Sequence, residues 1–141
     1  MDKTGKIAIV AVLIASVAVA VVVRQNKSGG DKVPVQLVPE QLTGKGLPVM
    51  IELGSDQCIP CKMMEPVLEE LKKEYSETLT VHFLDVCKLP ALSKLYNIKL
   101  IPTQIFYDSS GKELFRHEGF YTKEDILAKW KEFGFELKQK Q

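Results

Sequence analysis

The sequence predicts an α/β domain with a central mixed β-sheet flanked by helices, preceded by one N-terminal transmembrane helix. Three observations carry that expectation. Short apolar runs alternate with stretches of helical periodicity, in the order strand, helix, strand, helix, strand, strand, helix. The last two strands are separated by Asp108-Ser109-Ser110-Gly111, a hairpin spelling. The first half therefore implies a parallel βαβ unit and the second an antiparallel pair covered by a helix. Ahead of all this runs an uncharged, almost wholly aliphatic stretch, Ile7 to Val23.

That stretch would reach about 26 Å as a helix, the short end of what crosses a bilayer. Lys6 and Arg24 bracket it, and only Ser16 interrupts its apolar surface. Its one good small-x-small site, Ala18-Val19-Ala20, lies inside the run, so the segment reads as a retained anchor rather than a cleaved signal. A short N-terminal tail that stays inside places the remainder on the extracytoplasmic side of the cell membrane. The polar, Gly- and Ser-containing residues that follow read as a tether. The expected organisation is an anchor over 1–24, a flexible tether over 25–34 and one globular domain over 35–141.

Within the domain, the run Leu47 to Leu53 closes on Gly54 and reads as a buried strand. From Cys61 to Tyr75 the apolar residues Met64, Val67, Leu68, Leu71 and Tyr75 recur at helical spacing, with Pro66 expected to kink the helix. Leu79 to Val86 is a second strand, and the segment from Pro90 to Ile98 a short helix with proline in its first turn. The hairpin spans Thr103 to Phe120. Thr122, followed three residues later by Asp125, is an N-cap for a last helix carrying Ile126, Leu127, Trp130 and Phe133 on one face.

At 141 residues, 45% hydrophobic and 26% charged, the chain has the make-up of one globular domain rather than a disordered segment. Lys3, Lys6, Arg24 and Lys27 oppose only Asp2 before residue 30, which leaves the domain slightly acidic. No basic stripe interleaved with aromatics occurs, so nucleic acid is not an expected partner. Three cysteines are too few for a disulfide scaffold, and the C-x-x-C at Cys58 and Cys61 must be read by its context: metal clamp, structural disulfide or redox pair.

The context is a helix start straight after a buried strand. The run "CKMMEP" after the second half of the motif, "IPT" at 101 to 103 and Gly119 after the last strand complete a pattern that closely resembles the thioredoxin family, from about Val35 to Leu137. The resemblance implies a thioredoxin fold, a redox-active Cys58–Cys61 pair and no cofactor. It also implies that the Ile101–Pro102 peptide is cis and sets the backbone at Ile101 beside the cysteines for an extended substrate. Glu52, six residues before Cys58, falls where the family has a buried aspartate beneath the second cysteine; an edge glutamate facing solvent is the alternative.

A cysteine at a helix N-terminus meets unsatisfied N–H groups and the positive end of the helix dipole, which favours the nucleophilic thiolate. Cys58 is therefore expected to attack and Cys61, a turn further in, to resolve the mixed disulfide. Pro60 suits the first helical turn, and Ile59 is an apolar branch beside the nucleophile. Ile59, Pro60 and Ile101 are the expected substrate-binding residues; Cys58, Cys61, Glu52 and Pro102 are the expected catalytic ones. Zinc needs two further ligands, which Cys87, His82 and His117 do not supply as a second paired motif, and no metal is expected. Haem attachment needs histidine where Lys62 stands. The family's usual Trp-Cys-Gly-Pro-Cys reads here Gln57-Cys58-Ile59-Pro60-Cys61, which bears on potential and substrate choice. Cys87 reads as a buried, inert thiol, and His82 and His117 as strand surface residues.

The expected function is that of a membrane-tethered, monomeric protein-disulfide reductase. Ile101 before Pro102, the "CKMMEP" context and the lack of histidine between Cys58 and Cys61 resemble the reducing branch of the family. Outside the cytoplasm such an enzyme needs a transmembrane thiol-electron transporter as donor, with apocytochrome, as in cytochrome c biogenesis, or damaged envelope proteins as substrates. The rivals are a disulfide-forming oxidase or isomerase and, from another class, a copper(I) metallochaperone using Cys58 and Cys61 as soft ligands.

Overall fold

The computed structural model describes residues 33–37, 39–44 and 46–140, so the anchor and almost all of the tether lie outside the described residues. Among the described residues no helix is long and apolar enough to cross a membrane. A compact unit begins at Val33.

Four strands form one mixed sheet in the order β2-β1-β3-β4: β1 is Val49–Gly54, β2 Thr80–Asp85, β3 Thr103–Tyr107 and β4 Glu113–Glu118. β1 and β2 run parallel, while β3 is antiparallel to both β1 and β4. The helices are α1 (Pro39–Leu42), α2 (Ile59–Glu74), α3 (Ala91–Leu95) and α4 (Lys123–Glu132), with a 3₁₀ turn at Val35–Leu37. The expected order of elements is met from β1 onward. The 3₁₀ turn and α1 add a part that three- and four-residue elements, too short to show a period, do not announce.

Each face of the sheet has its own core. Met50, Val81 and Phe106 pack with Met64, Leu68, Leu71 and Tyr75 of the α2 region and with Ile126 and Trp130 of α4. On the opposite face Val49, Ile51, Leu53, Leu84, Ile105 and Tyr107 pack with Leu92 and Tyr96, and the partly buried Leu37 and Leu42 pack against them. With both faces covered, β1 is buried at every position.

Helix α2 continues through Pro66. Thr122 caps α4: its hydroxyl oxygen accepts the Asp125 N–H at 3.1 Å and donates to the Asp125 carboxylate at 2.6 Å. That differs from a full capping box, because the short aspartate meets the Thr122 hydroxyl instead of the N-cap N–H.

Candidate functional site

The site lies at the C-terminal end of β1, where the chain leaves the sheet through Ser55, Asp56 and Gln57 and enters α2. Cys58 is the N-cap of that helix, in extended backbone (φ −90°, ψ 125°), and its carbonyl accepts the Lys62 N–H at 3.0 Å. Ile59 and Pro60 form the first turn, where proline's missing N–H costs nothing. The turn is held from below. Ser55 Oγ accepts the Gln57 N–H and Ser55 O accepts the Cys58 N–H. Asp85, at the end of the neighbouring strand β2, accepts N–H groups from Asp56, Cys87 and Lys88.

The two thiols sit in unlike surroundings. Cys58 is half-buried, whereas Cys61 is only 2% exposed. Burial, reinforced by the neighbouring Cys58 side chain, pushes the Cys61 thiol up to about 12; a backbone hydrogen bond at Ser55 opposes, and negative charge on Cys58 or Glu52 adds to the rise. Cys61 therefore stays protonated at neutral pH unless a neighbour takes its proton.

Glu52 is fully buried and belongs, with Met50 and Gly54, to the face of β1 that lies under α2. At Gly54, a methyl group would stand 3.3 Å from the Cys61 sulfur and 3.1 Å from Phe83, so glycine lets the helix start sit this close to the strand without its neighbours giving way. Burial pushes the Glu52 carboxyl from 4.5 up to about 7, and a hydrogen bond from Gln104 pulls the other way. The solvent-facing alternative for Glu52 is set aside by this burial.

The antiparallel register pairs Leu53 with Thr103, so the turn before β3 arrives at the sheet end from which Cys58 departs. That turn holds Ile101, half-buried, and Pro102, buried, joined by a cis peptide bond. Pro102 O accepts the Gly119 N–H at 2.7 Å, and Gly119 has φ +101°, a conformation that favours glycine. Ile59 is 76% exposed, an apolar side chain presented beside Cys58.

Cys87 corrects an expectation: it is exposed. The letters Asp-Val-Cys-Lys-Leu resemble a continuing strand, but the Asp85 carboxylate accepts the Cys87 and Lys88 N–H groups and turns the chain outward. His117 stacks on Tyr121 at 4.0 Å between ring centroids and is half-buried. Among the described residues no group of three or more His, Cys, Asp or Glu side chains could hold a metal ion.

Gln104, Gly54 and Ser55 were not singled out by the sequence reading. Gln104 left a signal, a lone amide inside the buried run Thr-Gln-Ile-Phe-Tyr, which at such a position needs a polar partner. Gly54 read as the stop after a strand, because no sequence pattern tells a close approach from a turn.

The family model Thioredoxin matches residues 39–132. A chloroplastic M-type thioredoxin of Spinacia oleracea is 37% identical over 67 residues, which are 48% of this chain and 37% of that protein, so the chain spans little more than a third of its length. A thioredoxin-like protein of Synechocystis is 32% identical over 80 residues, 57% of this chain and 75% of that one. A solved structure of thioredoxin-2, described as a component of the malaria parasite protein secretion machinery, aligns with a TM-score of 0.57 at 22% identity, covering 61% of this chain and 82% of that one; the likeness is one of fold.

Proposed function

We propose, from the premise that this chain belongs to the thioredoxin family and is a thiol–disulfide oxidoreductase, that its task is to reduce disulfides in other proteins. The observation that carries the reading is the pairing of an accessible sulfur at a helix start, Cys58, with a buried one, Cys61, above a buried carboxyl group, Glu52.

Cys58, as thiolate, attacks one sulfur of a substrate disulfide, and the other substrate sulfur leaves with the electron pair of the broken bond. The mixed disulfide is then resolved from within. Glu52 as carboxylate takes the Cys61 proton, and the Cys61 thiolate attacks Cys58. The second substrate sulfur leaves and takes the proton back from Glu52. Two electrons have passed to the substrate, and the domain ends as the Cys58–Cys61 disulfide. A carboxyl group poised near 7 suits both halves of that proton transfer. In this reading the exposed Ile59, Pro60 and the backbone at Ile101 receive the substrate, which pairs as an extended segment beside the cis proline.

The reductive direction is supported by Ile101 before Pro102, the "CKMMEP" context and the lack of histidine between the cysteines, which resemble the reducing branch of the family. Ile7 to Val23 would tether the domain to the membrane on its extracytoplasmic side. Electrons would come from a transmembrane thiol-electron transporter, and apocytochrome or damaged envelope proteins would be the substrates.

The test is catalysis of insulin disulfide reduction by the full-length protein with dithiothreitol as donor. Catalysis is expected, with complete loss in Cys58→Ser. Wild-type rates in Cys58→Ser would overturn the reading. So would an oxidised protein that installs disulfides in a reduced substrate faster than the reduced protein removes them.

A further inference from the structure

We propose that Gln104 is a positioning residue for the resolving step: its amide holds the buried Glu52 carboxyl beneath Cys61 and ties it to the hydrogen-bonded backbone pair of Pro102 and Gly119. The inference rests on the reading of Glu52 as the base for Cys61.

The geometry is specific. Gln104 faces Glu52 in the β1–β3 register, and both are fully buried. Its Nε2 donates at 3.0 Å to Glu52 Oε2 and at 3.2 Å to Gly119 O. Those two acceptors use both amide hydrogens and fix which end of the amide is nitrogen. Gly119 in turn donates its N–H to Pro102 O at 2.7 Å. One amide thus joins the buried acid to the turn beside the cysteines.

A buried amide inside an otherwise apolar strand interior costs stability unless it is bonded, and here protein groups bond only part of it. Gln104 Oε1 and Glu52 Oε1 are both buried without a hydrogen-bond partner. A role confined to packing would be served better by an apolar side chain of similar size, as Ile105 and Phe106 serve beside it. The free Glu52 Oε1 is the atom left to take a proton, since Oε2 is occupied by the amide.

The surroundings leave Gln104 as the principal polar influence on Glu52. From α2 the titratable groups are Cys61 and Cys58. β2 presents Phe83, opposite Glu52, and Asp85, opposite Gly54. β4 presents His117, opposite Gln104 and one strand removed from Glu52. A donor to the carboxylate favours its ionised form. Removing the amide hydrogens should therefore raise the pH at which Glu52 can accept the Cys61 proton.

The experiment follows the resolving step in the full-length protein. Reduced protein, with the exposed Cys87 replaced by serine in every sample, is mixed with excess 5,5′-dithiobis(2-nitrobenzoate), and the second release of thionitrobenzoate reports attack of Cys61 on the mixed disulfide at Cys58. Its rate is recorded from pH 5 to 9 in wild type, Gln104→Met, Gln104→Glu, Glu52→Gln and the double variant Glu52→Gln/Gln104→Met. Wild type should show a rise in rate centred near pH 7. Gln104→Met should move that midpoint up by about one unit, about a tenfold fall in rate at pH 6. Gln104→Glu should move it upward as well, so that either variant reports if the other fails to fold. Glu52→Gln should abolish the midpoint, and adding Gln104→Met to it should change nothing further. A wild-type midpoint in folded Gln104→Met or Gln104→Glu, alongside its loss in Glu52→Gln, overturns the role of Gln104 alone. Persistence of the midpoint in Glu52→Gln overturns the reading of Glu52 itself, and the inference with it.

Discussion

Along β1, Val49, Ile51 and Leu53 enter one packed cluster, while Met50, Glu52 and Gly54 enter the layer beneath α2 and α4, and the two sets differ in kind. The first set is three branched aliphatics meeting Leu84, Ile105 and Tyr107. On that side the buried tyrosine hydroxyl of Tyr96 is satisfied by Leu37 O at 2.7 Å. The second set holds an acid and a glycine at neighbouring positions of the same face. Among the described residues, the buried side-chain polar atoms without a partner are Glu52 Oε1, Gln104 Oε1 and Trp130 Nε1, all on this second side. A single six-residue strand thus packs into a core on both faces, and by alternation places on the second face alone the groups that set proton affinity near the sulfurs.

The division is sharpened first from the stabilising side. Ile51→Ala removes a fully buried branched side chain and should cost about 2–5 kcal/mol in denaturant unfolding, with little change in the pH profile of disulfide exchange. A shifted profile with intact stability would erase the division between the faces.

Glu52→Gln should act in the opposite sense. The native carboxyl lies near 7 against an ordinary 4.5, so the folded state binds the proton more tightly than the unfolded state. Its favourable contribution is complete below pH 4.5 and is lost as pH rises through about 7. Glu52→Gln should therefore match wild type at pH 4 and exceed it by about 3 kcal/mol at pH 8, while disulfide exchange slows by about a hundredfold or more. Equal stability at both pH values would mean that the carboxyl is not strained by burial.

Gly54→Ala is the smallest change. The added methyl would press on the Cys61 sulfur at 3.3 Å and on Phe83 at 3.1 Å, so the start of α2 must give by a few tenths of an ångström. A loss of about 1 kcal/mol is expected, with a measurable change in resolving rate. Thermal unfolding and single-turnover exchange on the same sample would show whether both move.

The same alternation explains what was legible in the sequence. Helices α2 and α4 are half-exposed, so their apolar stripes stand out against Glu69, Glu70, Lys72 and Lys73 or against Lys129 and Lys131, and their positions follow from spacing. β1 is buried on both sides, so its letters carry no in–out rhythm, and the direction of Glu52 could be expected only from the family pattern. Gln104 is the converse case: its letter was visibly out of place in β3, but its partner sits in the register with β1, which no local pattern encodes. Cys87 was misread because the Asp85 carboxylate, not the apolarity of its neighbours, decides where the chain turns.

The reduction potential of the Cys58–Cys61 pair in the full-length protein, equilibrated against dithiothreitol or glutathione buffers, tests the central claim most directly. A value near or below about −250 mV is the expected result and fits a donor of electrons to protein disulfides. A value above about −150 mV would make the pair an oxidant and contradict the assignment of this site as a reductase.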